Sequence, residues 1–322
     1  MTGNGSISEM GNDTYTLFEH HGELRKELGV VTKVLKMVFA CFLLATPASF
    51  GQYDVPFVPT DYAVVDSMLS LVNPRKGEKL YDLGCGDGRI VIRAAKNYGA
   101  DAVGIDINPE RIKESNENAK KEGMTGKVEF KEQNLFETNF KDADVITMYL
   151  LSWVNLRLRP LFYRDLKPGT RLVSHAFTMG DWEADKIVEV ERLDGFGVSH
   201  VYFWIVPANA SGDWTYDTGN NPHALHIDQK FQKITGTIEV RGNKREVPGM
   251  TLTGDHIQFA SVVTRNDSTF TYSYDGRVNG DRITGTINNS VTKTTTKWEA
   301  KRNPKTTVIL DPVLPETESG VN

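Results

Sequence analysis

Hydrophobic and polar residues follow two different rhythms along this chain, and the change falls near Pro207. Before it, short apolar runs alternate with stretches whose apolar residues recur at helical spacing. Val64, Val65, Met68 and Leu69 mark one helix face, with Thr60 or Asp61 as its cap and Asn73-Pro74 as its end. Pro56 and Pro59 make Tyr53–Thr60 an extended lead-in. The run ending at Leu83 reads as a strand, and Ile90, Val91, Ala94 and Ala95 as the buried face of the next helix. Asp101–Asn108 predicts a second strand, Pro109 opens a helix, Lys127–Lys131 alternates as a third strand and Asp144–Leu150 is a fourth. Val154, Leu156, Leu158 and Leu161 predict a helix with Arg157, Arg159 and Arg164 outward; after the turn Lys167-Pro168-Gly169-Thr170, Arg171–Phe177 is a fifth strand. Lys186–Glu191 and His200–Val206 read as a closing β-pair. Alternating strands and helices predict an α/β fold: a Rossmann-like, doubly wound, mainly parallel sheet with its site at the strands' carboxyl edge.

Beyond Pro207 the helical period disappears. Residues 208–222 carry three Asn, two Gly and two Asp before Pro222 and read as a turn-rich linker. Short alternating segments follow at 224–231, 234–241, 250–253, 256–263, 269–274, 282–287 and 294–300. Ile234-Thr235-Gly236-Thr237-Ile238 recurs unchanged as Ile283-Thr284-Gly285-Thr286-Ile287, and Gly254-Asp255-His256-Ile257 returns as Gly280-Asp281-Arg282-Ile283. These echoes predict a small all-β antiparallel meander or barrel over 223–303, with a loose tail over 304–322. At the other end, 1–36 is a polar extension. Residues 37–52 join a basic flank, a short apolar stretch and small residues around Pro47, the pattern of an exported chain's signal peptide; an uncleaved membrane anchor or a buried helix fits the same residues. The intervening domain is 53–207.

A net charge of −5 and a pI near 5.9 argue against a general nucleic-acid grip, and no nucleic-acid partner is expected. The only cysteines, Cys41 and Cys85, offer no disulfide framework. His223 and His226 form one weak pair read as exposed loop, and no metal is expected.

The chemistry concentrates at Asp82-Leu83-Gly84-Cys85-Gly86-Asp87-Gly88-Arg89. Glycines at 84, 86 and 88 permit positive φ and a close approach, and the helix that follows turns its N–H groups toward the turn. The spacing does not fit G-x-G-x-x-G, because from Gly84 the third glycine falls on Arg89 and from Gly86 it falls on Val91. Asp106, at the end of the second strand, stands where a carboxylate can accept from both hydroxyls of a ribose. After the third strand, Asn134 suits the amino edge of an adenine and Leu135 its face.

D-x-G-x-G-x-G, Gly104-Ile105-Asp106, Asn134-Leu135-Phe136 and Lys167-Pro168-Gly169-Thr170-Arg171, in this order, resemble class I S-adenosylmethionine (SAM) methyltransferases. With Phe57-Val58-Pro59-Thr60 upstream and Leu172-Val173-Ser174-His175 downstream, the pattern is similar to one branch. That branch holds the mitochondrial lysine methyltransferases of the ATP synthase c-ring and the adenine nucleotide translocator, and bacterial relatives. The resemblance spans about Phe57 to Pro207. It implies SAM as cofactor, with Asp82, Gly84, Gly86 and Gly88 along the methionine moiety, Asp106 at the ribose and Asn134 at the adenine. A lysine acceptor must reach the site neutral, and a dry aromatic channel favours that form. Tyr149, Trp153, Trp182 and Phe57 are the aromatic candidates, while Asp181 and His175 can orient an amine or take its proton. No Asn/Asp-Pro-Pro-aromatic string follows the fourth strand, which argues against DNA base amines as acceptors. Two functions remain: a methyltransferase acting on a protein lysine or a small molecule, or a SAM-binding envelope module whose β domain is the interaction unit.

Overall fold

The computed structural model describes residues 57–311 except 194, 196, 219–221, 266 and 267; the expected signal or anchor at 37–52 lies outside the described residues. The elements up to Ile205 are β1 (Lys79–Leu83), β2 (Asp101–Asp106), β3 (Val128–Glu132), β4 (Val145–Met148), β5 (Arg171–His175), β6 (Lys186–Glu191) and β7 (Val198–Ile205). Their helices are α1 (Tyr62–Val72), α2 (Arg89–Tyr98), α3 (Pro109–Lys121) and α4 (Ser152–Asp165). The strands form one sheet in the order β3-β2-β1-β4-β5-β7-β6. Every neighbouring pair is parallel except those made by β7, which runs against both β5 and β6.

Local chemistry sets each boundary. Asp61 caps α1, its carboxylate accepting from Ala63 N at 2.8 Å, and Asn73 closes the helix in the left-handed region. Asn108 caps α3 with Pro109 in the first turn. α1, α2 and α3 bury Val64, Met68, Val91, Ala94 and Ala119 on one face of the sheet. On the other face, α4 supplies Val154, Leu158 and Phe162. No helix connects β5 to β6, and Trp182 and Trp204 fill that ground instead, with Trp204 Nε1 donating to Trp182 O at 2.9 Å.

The second sheet is all antiparallel, in the order β11-β10-β9-β8-β16-β15-β14-β13-β12. Its strands are β8 (Gly212–Asp217), β9 (Pro222–Lys230), β10 (Lys233–Val240), β11 (Asn243–Glu246), β12 (Thr251–Thr253), β13 (His256–Arg265), β14 (Ser268–Asn279), β15 (Arg282–Asn289) and β16 (Thr295–Arg302). The stretch read as a linker therefore contains β8, which pairs with both β9 and β16. Trp214 and Tyr216 face its core while Asp213, Thr215 and Asp217 face out, a period-2 signal overlaid by the turn-forming residues around it. β11 had no apolar alternation to betray it, since all four residues are exposed. His223 and His226 sit on a strand rather than a loop, on opposite faces of β9. Part of the tail is also laid down: Asp213 N donates to Thr306 Oγ1 at 2.8 Å and Val308 N to Ser211 Oγ at 3.0 Å.

The halves share core. Phe231, in the turn between β9 and β10, stacks on Trp182 with centroids 5.6 Å apart and lies 5.6 Å from Tyr163. Gly254 approaches Gly169 just ahead of β5, and Ala208 N donates to Gly254 O at 2.8 Å. This contact lies at the amino edge of the parallel sheet, whereas the glycine turn leaves β1 at the carboxyl edge. No helix among the described residues is long and apolar enough to cross a membrane.

Candidate functional site

β1 ends on Asp82 and Leu83, and the chain then needs three left-handed residues in five positions: Gly84 (φ 76°), Gly86 (φ 54°) and Gly88 (φ 78°). Only glycine takes these without cost. A Cβ on Gly84 would meet Leu150 at 2.8 Å, one on Gly88 would meet Phe130 at 2.7 Å, and one on Gly86 would enter the Phe57 ring. The turn is pinned to β2. Gly84 N and Cys85 N donate to Ile105 O at 2.8 and 2.9 Å, and Gly86 N donates to Asp106 Oδ2 at 2.9 Å. The second oxygen of Asp106 accepts from Asn108 N at 2.9 Å, so one carboxylate fixes both the glycine turn and the start of α3.

Asp82 is buried below this turn at 2% exposure, accepting from Thr147 Oγ1 on β4 at 2.7 Å. Burial first, then the negative neighbours Asp106 and Asp87, pushes its carboxyl up to about 7, against the Thr147 hydrogen bond. Asp87 is partnered by Arg89, which also donates to Thr60 O at 2.6 Å and thereby ties the lead-in before α1 to the turn. Arg89 and Thr147 were not anticipated; the i,i+2 pair in Asp87-Gly88-Arg89 was the available signal. Cys85 is buried and its thiol is pushed well up by burial and by Asp82, which keeps it protonated.

The second group lies at the ends of β4 and β5. The Tyr149 ring lies 3.9 Å from the imidazole of His175 and 6.0 Å from Phe177. Ala176 between them adopts φ 63°, and Phe177 N donates back to His175 O at 2.8 Å, a tight three-residue turn of the strained kind. Asn155 on α4 braces this turn, its Nδ2 donating at 3.3 Å to Ser174 Oγ, Phe177 O and Thr178 O. His175 is buried, with Nδ1 3.4 Å from Thr60 Oγ1 and Nε2 3.1 Å from Ser199 Oγ. Burial pushes its pKa down to about 4, so it is neutral near pH 7. Thr60 and Ser199, also buried, carried no motif in the sequence.

The structure brings Asp82, the glycines and Asp106 together, and brings Tyr149 to His175. It engages other expected residues differently. Asn134 caps a short 3-10 turn, accepting from Phe136 N at 3.1 Å and donating to Glu137 Oε1 at 3.2 Å. Leu135 packs against the α4-side core. Asp181 is exposed and ion-paired to Arg159 at 2.7 Å and to Lys230 of β9 at 3.1 Å, which lowers its pKa and ties it to the junction between the halves. Trp182 is buried beneath Phe231, and Trp153 is 44% exposed. The Phe57 ring lies over Gly86 with the Arg111 guanidinium 4.6 Å from its centroid.

A family model described as the ANTKMT methyltransferase domain matches residues 82–186. The chain is 44% identical over 153 residues to a protein-lysine N-methyltransferase of Saccharolobus islandicus, covering 47% of this chain and 94% of the relative. It is 31% identical over 219 residues to the ATP synthase C-subunit lysine N-methyltransferase of Mus musculus, covering 67% and 82%. Among solved structures, an RNA methyltransferase from Salinibacter ruber in complex with S-adenosyl-L-homocysteine is 48% identical, with a TM-score of 0.43, covering 46% of this chain and 93% of that one.

Proposed function

We propose, for a chain that belongs to the ANTKMT methyltransferase family and is a SAM-dependent methyltransferase, that the methyl acceptor is the side-chain amine of a lysine in a protein. The residues at the carboxyl edge fit the cofactor. Asp82 is a buried acid, raised to about 7 by desolvation and like-charged neighbours, so a ligand bearing positive charge relieves it. Asp106 presents a fixed carboxylate beside the glycine turn, where sugar hydroxyls can donate to it. Gly84, Gly86 and Gly88 keep the turn free of side chains. Asn134 and Leu135 complete the bed at its adenine end, with the Asn134 amide shared between its cap and the base.

Bound there, SAM supplies an electrophilic methyl on a sulfonium, to be taken by in-line attack. The acceptor must arrive deprotonated and aligned. Holding a lysine of ordinary pKa neutral at pH 7 costs on the order of 4–5 kcal/mol. Tyr149, Phe177 and the neutral imidazole of His175 offer an aromatic wall without positive charge, where desolvation favours the free amine. His175, with a pKa near 4 and hydroxyls at both ring nitrogens, is a positioning group for Tyr149 and not a base. Asp181, engaged by Arg159 and Lys230, holds the junction instead of the amine.

The observation that carries this reading is the Tyr149–His175–Phe177 wall on the same sheet edge as the Asp82–Asp106 bed. Purified protein is incubated with tritiated SAM and cell lysate, and labelled species are separated and sequenced by mass spectrometry. Methyl-lysine in a protein is the expected product. Label that disappears with ribonuclease, or that stays wholly in the small-molecule fraction, would sink the lysine assignment while leaving the cofactor intact.

A further inference from the structure

The second sheet has a chemistry of its own. Along its inward face the residues change character from one end to the other. Near Phe231 and Gly254, at the junction with the parallel sheet, Ile227, Ile257 and Ile283 face inward and are fully or almost fully buried. At the far end the same registers carry His223 on β9, Ser261 on β13, Tyr272 on β14, Asn289 on β15 and Thr296 on β16. A barrel built only for its own core would end in apolar residues or a plug. Here the far end encloses a cavity of about 290 Å³, at the small end of the roughly 300–1,000 Å³ typical of small-molecule sites.

We propose that this cavity binds a small organic anion, a carboxylate on an aromatic or short aliphatic body. Tyr274 forms its inner wall, stacked on Phe259 at 4.4 Å and edge-on to Trp298 at 5.3 Å. With Tyr272, Val240 and Ile287 it makes an apolar seat for the body of a ligand. Among the described residues, the lining carries no carboxylate; of its two guanidinium groups, Arg241 is engaged in an interaction of its own, and Arg245 is the group that meets the ligand. The neighbouring Asp217 lies on the exposed face of β8. Arg245 sits opposite Ile238 and is exposed at the cavity mouth, where its Nη1 donates to Val262 O at 2.9 Å and links β11 to β13. That bond fixes the side chain and uses one of five N–H donors, and a guanidinium fork matches a carboxylate. The His223 ring, neutral because burial lowers its pKa, has Nε2 3.0 Å from Thr218 Oγ1 and a buried Nδ1 with no partner among the described residues. A buried polar atom left without a partner in native protein calls for a water or a ligand.

The site faces away from the methyl-transfer chemistry, since the junction lies at the opposite ends of these strands. The full chain, saturated with S-adenosylhomocysteine to close the cofactor site, is titrated calorimetrically with benzoate, hexanoate, benzamide and benzylamine. Saturable one-to-one binding of benzoate and hexanoate is expected, at least tenfold weaker binding of benzamide, and none of benzylamine. Arg245→Gln should weaken benzoate at least tenfold with S-adenosylhomocysteine affinity unchanged. Because Arg245 also bridges two strands, Tyr272→Ala provides a second variant that removes apolar wall and leaves that bridge; it should weaken both carboxylates with S-adenosylhomocysteine affinity unchanged. Absence of saturable carboxylate binding, equal binding of benzamide, or full benzoate affinity in both variants would overturn the proposal.

Discussion

At the carboxyl edge of the parallel sheet, Asp82, Asp87 and Asp106 gather around backbone N–H groups, whereas the open end of the antiparallel sheet gathers Arg241, Arg245 and neutral hydroxyls, with no carboxylate among the described residues of its lining. The proposed ligands differ accordingly: a positively charged one at the first site and an anion at the second. The two sheets also build their sites differently. In the parallel sheet all the connecting turns at one edge converge, so Asp82 near the end of β1, the glycine turn behind it and Asp106 at the end of β2 form the proposed bed. In the antiparallel sheet the cavity is lined by residues of seven strands and the turns between them, scattered from Thr218 to Thr296.

This contrast explains what could be read in advance. The order of strands and helices up to Pro207, the glycine turn and the place of Asp106 were legible because periodicity and a local motif encode them. Most strands of the second sheet were also legible, and the recurring Ile-Thr-Gly-Thr-Ile places Ile234, Gly236 and Ile238, then Ile283, Gly285 and Ile287, on inward registers. The cavity was not, because no two of its polar residues form a motif. Asp181 and Asn134 show a second limit. Sequence supplied their chemistry, but neighbours fixed their partners: Arg159 and Lys230 for Asp181, and the local 3-10 turn for Asn134.

The contrast can be broken most forcefully at the junction. Phe231→Ala removes a ring buried between Trp182 and Tyr163 and should lower stability by about 3–5 kcal/mol, with both sheets melting in one transition by calorimetry. Two separate transitions would show that the halves are independent. Asp106→Ala removes the acceptor for Gly86 N and Asn108 N; SAM binding should weaken about 100-fold or more, while benzoate binding at the other sheet is untouched. Unchanged cofactor affinity would end the assignment of the bed. Tyr149→Ala should reduce methyl transfer about 30-fold, the scale of a lost positioning contact, with cofactor affinity preserved; a loss confined to cofactor binding would move Tyr149 out of the acceptor wall.

The mildest effect is in pH. Asp82 is an acid whose folded pKa, about 7, lies above its ordinary 3.8. Between these values the folded chain holds a proton the unfolded chain has lost, so its contribution to stability falls as pH rises through that window. His175 acts oppositely: lowered from 6.5 to about 4, it lacks a proton that the unfolded chain binds, so its contribution grows from about pH 4 to 6.5. A positively charged ligand favours ionised Asp82, so SAM binding should tighten up to about fivefold from pH 6 to 7 and level off above. Asp82→Asn should flatten that slope, and calorimetry in two buffers counts the proton released. A slope that persists in Asp82→Asn belongs to another group.

The Phe231–Trp182 stack also sets a problem in manufacture. The ribosome delivers the chain from its amino end, and domains generally fold in that order. Tyr163 and Trp182 therefore leave the exit tunnel before Phe231, the ring that covers them, is synthesised. A nascent chain stalled before β9 should bind holdase chaperones more readily than the completed polypeptide.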